Sequence, residues 1–526
     1  MRKLVVVCIA LALAGCHRGT KQDQTTEAPP IPRSFTMLFE EPGAIDPAFV
    51  EDAYAGNIVS QVFDGLVAVD ENLNIVPEIA QSWQVSPDRH TLTFEIRADA
   101  RFHNGRTITA DDFVYSFTRL VEPGADKQSI GAEYLRDVVG VDEFMAGRAS
   151  SVRGLQAEDA LHLRIELKVP NSTLLAAMAM PNFKVVPREA VGPDFASKPV
   201  GSGPFEFESW ERGRQITLKA NKGYYRGTPK LDRIAFLLMR PTSTREELGM
   251  FLDGRLQFLQ AVGEDASFLA NRHYNVIRQT ELSVHFLGFN CTTPPFDDAR
   301  VRRAVAHSIR YDRLSVIEPL TYAPAGGVIP PGLAGYSPKE RPYRYDPVTA
   351  VRLLAEAGYS TGQLDRDIDY PSSTGVTGVG RQTDILIEED LAKIGLRLRE
   401  RYVPWFEFNR MVNEGKLPVF RLSWAADVPD TSSVLYSLFF SRAINNMFRY
   451  RSSDIDRLLQ RAMGEFDEPG RSEAYAKAEA AILHDAPLIP LDFGCFNYAF
   501  QPYVRGVRLN AYGIADMALE RIWYER

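Results

Sequence analysis

Strand-type and helix-type segments are mixed along this chain, and no linker divides them into blocks. The strand-type segments are 89–98, 214–219 and 233–239, and the helix-type segments are 111–120, 297–314, 347–359 and 452–463. The first group has apolar residues with period two, as at Leu92, Phe94 and Ile96, whereas the second has them at helical spacing. A chain of 526 residues is too long for one hydrophobic core. The pattern therefore predicts an α/β protein of two to four domains between which the chain crosses more than once.

Short signals mark the boundaries of several elements. Thr109 followed by Asp112 has the residue types of a capping box and predicts the start of a helix. Ser453 is predicted to cap the helix that follows it. The Pro- and Gly-rich stretches 322–347 and 370–380 predict long surface loops.

The N-terminus is typical of an exported protein. Two basic residues precede the apolar run 4–14, which is too short to span a bilayer, so residues 1–16 are predicted to form a signal peptide. LAGC at 13–16 resembles a bacterial lipobox, in which the cysteine, here Cys16, is acylated and becomes the first mature residue. A plain signal peptide that is cut elsewhere is the alternative. The polar, Pro-rich residues 17–34 are predicted to be a flexible tether.

Charge and cysteine content narrow the function classes. The formal charge is −8 and no long Lys/Arg tract occurs, which excludes nucleic acid as the expected partner. No later stretch reaches 18 apolar residues, so lipid is the only membrane attachment that we predict. Once Cys8 leaves with the signal peptide and Cys16 takes lipid, Cys291 and Cys495 remain. An oxidising compartment permits a disulfide, but two unpaired buried thiols are the favoured interpretation.

Motifs for catalysis and for cofactors are missing. The sequence contains no GxxxxGK[ST], no GxGxxG after a strand, no HExxH, no GxSxG and no i,i+4 histidine pair, so we predict neither a cofactor nor a metal. Asp427 and Asp430 could form the acid/base pair of a hydrolase. Asp430 lies between Pro429 and Thr-Ser-Ser, a pattern that favours a turn and a helix cap instead.

Seven blocks together resemble one known family. They are EPGAIDP (41–47), 62–120, 200–236, 287–309, SWAADVPD (423–430), DAPLIPL (485–491) and VRGV (504–507). In this order they resemble the family 5 extracellular solute-binding proteins, which are the oligopeptide, dipeptide and nickel receptors of ABC importers. The resemblance covers nearly all of 35–526.

The resemblance implies a two-lobed α/β receptor with interwoven lobes and an extra α/β domain, which closes on its ligand by a hinge. Lobe I would comprise 35–54, 178–283 and 497–526, the extra domain II would be 55–177, and lobe III would be 284–496. It also implies a monomer without enzymatic activity that delivers a peptide to an ABC permease. Arg18, two positions after the lipidated cysteine, favours the outer membrane as the site of the anchor.

The same resemblance assigns five ligand-binding residues. Asp427 would hold the peptide α-amino group, Trp424 and Trp405 would wall side-chain pockets, Arg421 would meet a peptide carboxylate, and Glu41 would line the cleft. Each also has a structural interpretation: a turn for the aspartate, core packing for the tryptophans, a solvated surface for the arginine and a fold-stabilising contact for the glutamate.

The sequence departs from the family pattern at three positions. Ser423 replaces a glycine of the Gly-Trp-x-x-Asp motif, and Ser202 and Phe205 replace the threonine and tyrosine of the Gly-Thr-Gly-Pro-Tyr block. These changes leave the class of ligand undetermined, because relatives on the same scaffold bind nickel chelates, haem, opines or sugars. A receptor for a metal chelate is therefore the second hypothesis, and a periplasmic hydrolase is the third.

Overall fold

Nineteen strands and fourteen helices occur in the part of the chain that this computed structural model describes, residues 34–124, 129–238, 243–317, 322–338, 343–359, 367–373 and 379–525. The strands are β1 Ser34–Leu38, β2 Val67–Val69, β3 Ile75–Pro77, β4 Ala80–Val85, β5 Thr91–Ile96, β6 Leu155–Ala157, β7 His162–Glu166, β8 Phe205–Glu211, β9 Gln215–Ala220, β10 Arg233–Leu237, β11 Phe258–Ala261, β12 Asn275–Phe289, β13 Ala323–Pro324, β14 Asp367–Ser372, β15 Arg397–Tyr402, β16 Val419–Ala425, β17 Leu488–Phe500, β18 Val504–Arg505 and β19 Trp523–Tyr524. The helices are α1 Ala53–Val62, α2 Ala110–Leu120, α3 Val141–Met145, α4 Thr173–Ala177, α5 Thr244–Leu252, α6 Asp265–Ala270, α7 Ala299–Ser308, α8 Leu314–Ile317, α9 Pro347–Glu356, α10 Val379–Ala392, α11 Trp405–Asn413, α12 Ser432–Phe439, α13 Ser453–Met463 and α14 Glu468–Asp485. This content confirms the predicted mixed α/β class.

Three larger sheets organise the described residues. The first has the strand order β1-β10-β9-β8, with β1 parallel to β10 and the other pairs antiparallel. The second, β4-β5-β7-β6, is antiparallel. The third, β11-β17-β12-β16, is also antiparallel and gains β13 beside β17. The pairs β2–β3, β14–β15 and β18–β19 stand apart from these sheets.

Two long strands run through the third sheet. The first part of β12 pairs with 495–500 of β17, and after an irregularity between Thr280 and Val284 the second part pairs with 488–493. β11 extends the sheet beside the first part, and β16 extends it beside the second. The same two strands therefore belong to two different packing environments.

The buried apolar residues form separate cores around these sheets. One core joins the β4–β7 sheet to α2 and α4, and another packs the first sheet against α1 and the C-terminal segment. The second part of β12 has a core on each face, with Phe286 towards α12, α13 and α14 and Leu287 towards α7, α9 and α10. This alternation is the period-two pattern of a strand that is covered on both sides. The domain boundaries remain a prediction.

The local sequence signals agree with the structure at most boundaries. Thr109 precedes α2, and its backbone N–H donates to Asp112 Oδ2 at 2.9 Å, as the capping-box pattern predicts. Cys291 and Cys495 are both free thiols, as predicted, but only Cys495 is buried, and Cys291 is partly exposed. Cys16 and the predicted tether up to residue 33 lie outside the described residues. Among the helices that are described, none is both long and apolar enough to span a bilayer.

Two predicted helix boundaries are wrong. The helix predicted for 297–314 ends at Ser308, because an extended Ile309 lets the chain bury Tyr311 and Leu314 in the same core. Ser452, rather than Ser453, caps α13, since Ser452 keeps an extended backbone and its Oγ accepts from the Ile455 N–H.

The loop predicted for 370–380 is shorter than expected. Tyr370 to Ser372 belong to β14, and α10 begins at Val379. Among the described residues β14 pairs only with β15, so Pro371 can sit on its free edge, where a missing N–H costs no ladder hydrogen bond.

Candidate functional site

A cleft opens where α1, the end of β16 and residues 511–516 approach one another. It consists of two cavities that share Ala53, Ala426, Tyr512 and Ala515 in their walls. One cavity continues over 281–283 of β12, and the other continues towards 179–182. We call the two cavities together the central cleft.

Asp427 is the predicted site residue that lines the central cleft. Its backbone N–H donates to Ser433 Oγ at 2.8 Å, which fixes the chain just after β16. The side chain opens to the cleft, but protein surrounds the carboxyl on its other sides, and this desolvation raises its pKa. No Lys, Arg or His of the described residues forms an ion pair with it. The cleft therefore contains a carboxylate that lacks a cation.

The strand before Asp427 has a free edge. Within the described residues β16 pairs only with β12, and the Ala426 N–H donates to the Leu282 carbonyl at 2.7 Å. Hydrogen-bonded and non-bonded pairs alternate in an antiparallel ladder. The N–H and C=O groups of Ser423 and Ala425 therefore point away from β12, towards the open edge. These groups can pair with an extended chain that is laid against β16.

The Trp424 side chain projects from one face of the sheet and does not lie at this open edge. It packs with Leu422 against the core beneath α12 and α14, and its Nε1–H donates to the Ser433 carbonyl at 2.7 Å. It does not line the central cleft. Its predicted role as the wall of a ligand pocket remains a prediction.

Arg421 is engaged within the protein. Its Nε donates to Asp384 Oδ1 at 2.7 Å, and one Nη donates to the Gly380 carbonyl at 3.0 Å. Tyr370 also donates to Asp384 at 2.8 Å, so the aspartate is held from two sides. Its proposed contact with a ligand carboxylate remains a prediction, and such a contact would have to compete with Asp384.

Trp405 and Glu41 lie outside the walls of the central cleft. Trp405 begins α11 with 57% of its surface exposed, and its ring lies 6.0 Å from that of Phe408. Glu41 accepts hydrogen bonds from the Trp210 indole at 3.2 Å and from the Gly213 N–H at 3.1 Å, and so braces the β8–β9 hairpin. The ligand-binding roles of Trp405 and Glu41 remain predictions.

Asp430 is completely separated from the cleft. Its side chain is buried, accepts from the Ser432 N–H at 2.8 Å and from the Tyr475 hydroxyl at 3.1 Å, and lies 3.1 Å from Arg471. The contact with Ser432 agrees with the predicted turn, whereas the cap position of α12 is Thr431. The sequence did not predict the buried ion pair. Asp427 and Asp430 thus face different environments and cannot act on one bound substrate as a pair.

Two further cleft residues were missed by sequence reasoning. Glu281 of β12 accepts from the Tyr498 hydroxyl at 3.0 Å, and burial raises its pKa to about 7. Asp516 accepts from Asn510 at 2.6 Å, and burial raises its pKa to about 6. Neither belongs to a recognisable motif. They line the same cleft only because the third sheet and the C-terminal segment fold together.

Comparison with known proteins gives a consistent result. The sequence pattern described as "Bacterial extracellular solute-binding proteins, family 5 Middle" matches residues 74–446. Heme-binding protein A of Haemophilus influenzae is 27% identical over 97% of each chain. Di/tripeptide-binding protein 2 of Pseudomonas aeruginosa is 26% identical over 93% of this chain and 94% of that one. The unliganded open form of the periplasmic murein tripeptide binding protein MppA superposes with a TM-score of 0.80, at 23% identity, over 94% of this chain and 97% of that one.

Proposed function

This chain belongs to the bacterial extracellular solute-binding proteins of family 5, and on that premise we propose that it captures peptides in the central cleft and delivers them to an ABC permease. The two-lobed α/β fold of that family is the fold of this chain. The peptide would lie extended along the open edge of β16, with its α-ammonium group on Asp427.

The observation that carries this proposal is the position of Asp427. Among the described residues, a carboxylate without a cation stands directly after a strand whose outward N–H and C=O groups have no ladder partner. An extended peptide supplies both missing partners at once, an ammonium group at its end and a main chain that can pair with a strand. Because those groups are common to all peptides, the arrangement favours binding that tolerates different side chains.

The proposed capture involves closure of the lobes about β12 and β17. We propose the division into lobe I (35–54, 178–283 and 497–526), domain II (55–177) and lobe III (284–496). The separate cores on either side of these long strands support it. The likeness to an open form supports an open resting state in which the lobes have not yet closed.

We also propose that the protein is a monomeric lipoprotein, anchored through Cys16 and tethered by residues 17–34. The lipobox resemblance supports the anchor, and Arg18 supports the outer membrane. Its role would be binding without catalysis. The burial of Asp430 supports this, since the hydrolase hypothesis needs Asp427 and Asp430 on one substrate.

Ligand titration separates the hypotheses. Protein purified from cells that express the full chain is titrated calorimetrically with trialanine, haem and a nickel chelate, and native mass spectrometry identifies any ligand that co-purifies. We expect one trialanine per chain and no competition from the other two. Saturable binding of haem or the chelate, with no binding of any peptide, contradicts the proposal and favours the non-peptide receptor.

Methylation of the ligand backbone tests the pairing with β16. Trialanine with an N-methyl group at residue 2 or 3 should bind about three- to tenfold more weakly at one of these positions, because a main-chain hydrogen bond contributes about 0.5–1.5 kcal/mol. The control replaces the same alanine with α-aminobutyric acid, which adds a methyl group and keeps the N–H. Equal affinity for trialanine and both N-methyl peptides argues against strand pairing.

A further inference from the structure

The charge of the central cleft has one sign. The charged side chains among the described residues of its walls are all acidic: Glu51, Asp52, Glu281, Asp427 and Asp516. Asp52 is occupied as the cap of α1, where it accepts from the Ala55 N–H at 2.8 Å. Asp427 is assigned to the ligand α-ammonium under the proposed function. Glu281 and Asp516 remain, and neither forms an ion pair with a cation of the described residues.

Asp516 stands at the boundary of the cleft and a second cavity. It lines the central cleft and also a second cavity, the chamber, whose walls include the buried Gln61, Asp64, Glu78 and Lys184 and the exposed Glu71 and Arg508. Ser60, Val69 and Ala179 line both spaces as well, so the chamber and the cleft are neighbours and Asp516 lies between them.

The cations of the chamber are already paired. Lys184 and Arg226 lie 2.8 and 3.9 Å from Glu78, and Arg508 and Arg521 lie 2.7 and 3.7 Å from Glu71. Among the described residues, none forms an ion pair with Asp64 or Asp516. Burial raises the pKa of both carboxyl groups, and Lys184 offsets this only in part because it contacts Glu78 instead.

Two acceptors in the chamber also lack hydrogen bonds. Asp64 and Gln61 are 1% and 2% exposed, and neither Asp64 Oδ2 nor Gln61 Oε1 has a donor among the described residues. Buried acceptors without donors are rare, because desolvation without a compensating hydrogen bond is costly. A ligand group that carries both positive charge and several N–H donors satisfies the charge and these acceptors together.

We propose that this receptor selects peptides with a basic side chain, and that Asp516 holds the side-chain ammonium or guanidinium group between the central cleft and the chamber. The inference rests on the proposed function, because Asp427 must bind the α-ammonium group of the same ligand. Lys and Arg carry their charge and donors at the end of a long flexible stem, which suits a carboxylate set back from the cleft. Ligands with several carboxylates meet like charge throughout the cleft walls and are selected against.

Matched peptides test the selection. Alanine tripeptides with lysine at residue 1, 2 or 3 are titrated into the full-length protein, each against the norleucine analogue, which keeps the four-carbon stem and lacks the ammonium group. We expect lysine to bind about tenfold more tightly at one position, which corresponds to about 1.4 kcal/mol. Asp516→Asn should remove this preference and leave the norleucine peptide's affinity within about twofold.

The control is Asp454→Asn, which changes the net charge equally but lies on the exposed surface of α13 and should preserve the preference. Equal binding of lysine and norleucine at all positions in the wild type overturns the proposal, as does a preference that survives Asp516→Asn. If that variant does not fold, Asp516→Ser replaces it, and an unchanged preference in Asp516→Ser has the same meaning. Failure of both the lysine and the norleucine peptides to bind refutes the proposed peptide function and this inference with it.

Discussion

Replacing Asp427 with alanine is expected to weaken peptide binding about a hundredfold, or about 2.7 kcal/mol, with little change in the free energy of unfolding. Closure of the cleft removes water from the ligand ammonium, and without the carboxylate that charge remains buried and unpaired. The folded protein loses little, because the backbone N–H of residue 427 still reaches Ser433 Oγ and no cation in the described part of the chain pairs with the carboxylate. Calorimetry with trialanine and urea unfolding measure the two quantities.

A ligand change isolates the interaction that this variant removes. N-acetylated trialanine lacks the α-ammonium group, so it should bind the wild type weakly and should lose little further affinity in Asp427→Ala. A coupling energy of about 2 kcal/mol between the two changes is expected for a direct charge pair. Asp454→Ala, a surface variant with the same change of charge, should bind trialanine as the wild type does. Additive effects of acetylation and Asp427→Ala contradict the assigned role.

The strand β16 explains why a motif resemblance describes this region only in part. Residues 421–427 are contiguous in sequence, but the pleat directs successive side chains to opposite faces. Trp424 therefore packs into the core with Leu422, while the main-chain groups of Ser423 and Ala425 face the open edge. The pattern of period two was visible in the sequence. Which face of β16 lies next to a cleft depends on how β12 and α12 pack. That packing is set by contacts between residues that are far apart in the sequence.

Contacts between residues that are close in the sequence were predictable, whereas contacts between distant residues were not. The bond from Thr109 to Asp112 spans three residues, and the residue types alone predicted it. Asp384, which pairs with Arg421, is 37 residues away and carries no signal that names its partner. Asp516 and Glu281 line one cleft only because the C-terminal segment returns to the third sheet. The family resemblance supplied the two-lobed fold, since the order of the blocks reflects the whole chain.

Replacing Asp430 with alanine is expected to lower the free energy of unfolding by about 3 kcal/mol, because removal of one partner leaves a largely buried cation uncompensated. Arg471, with 21% of its side chain exposed, would lose its carboxylate, and Tyr475 and the Ser432 N–H would lose their acceptor. Asp430→Asn keeps an acceptor for the last two, so about half of the loss should remain. Urea unfolding compares both variants with Asp454→Ala, whose exposed ion pair should contribute less than about 0.5 kcal/mol. Equal stability of Asp430→Ala and Asp454→Ala would show that the buried pair is not stabilising. The expected difference means that Asp430 holds the loop from which Asp427 reaches the cleft.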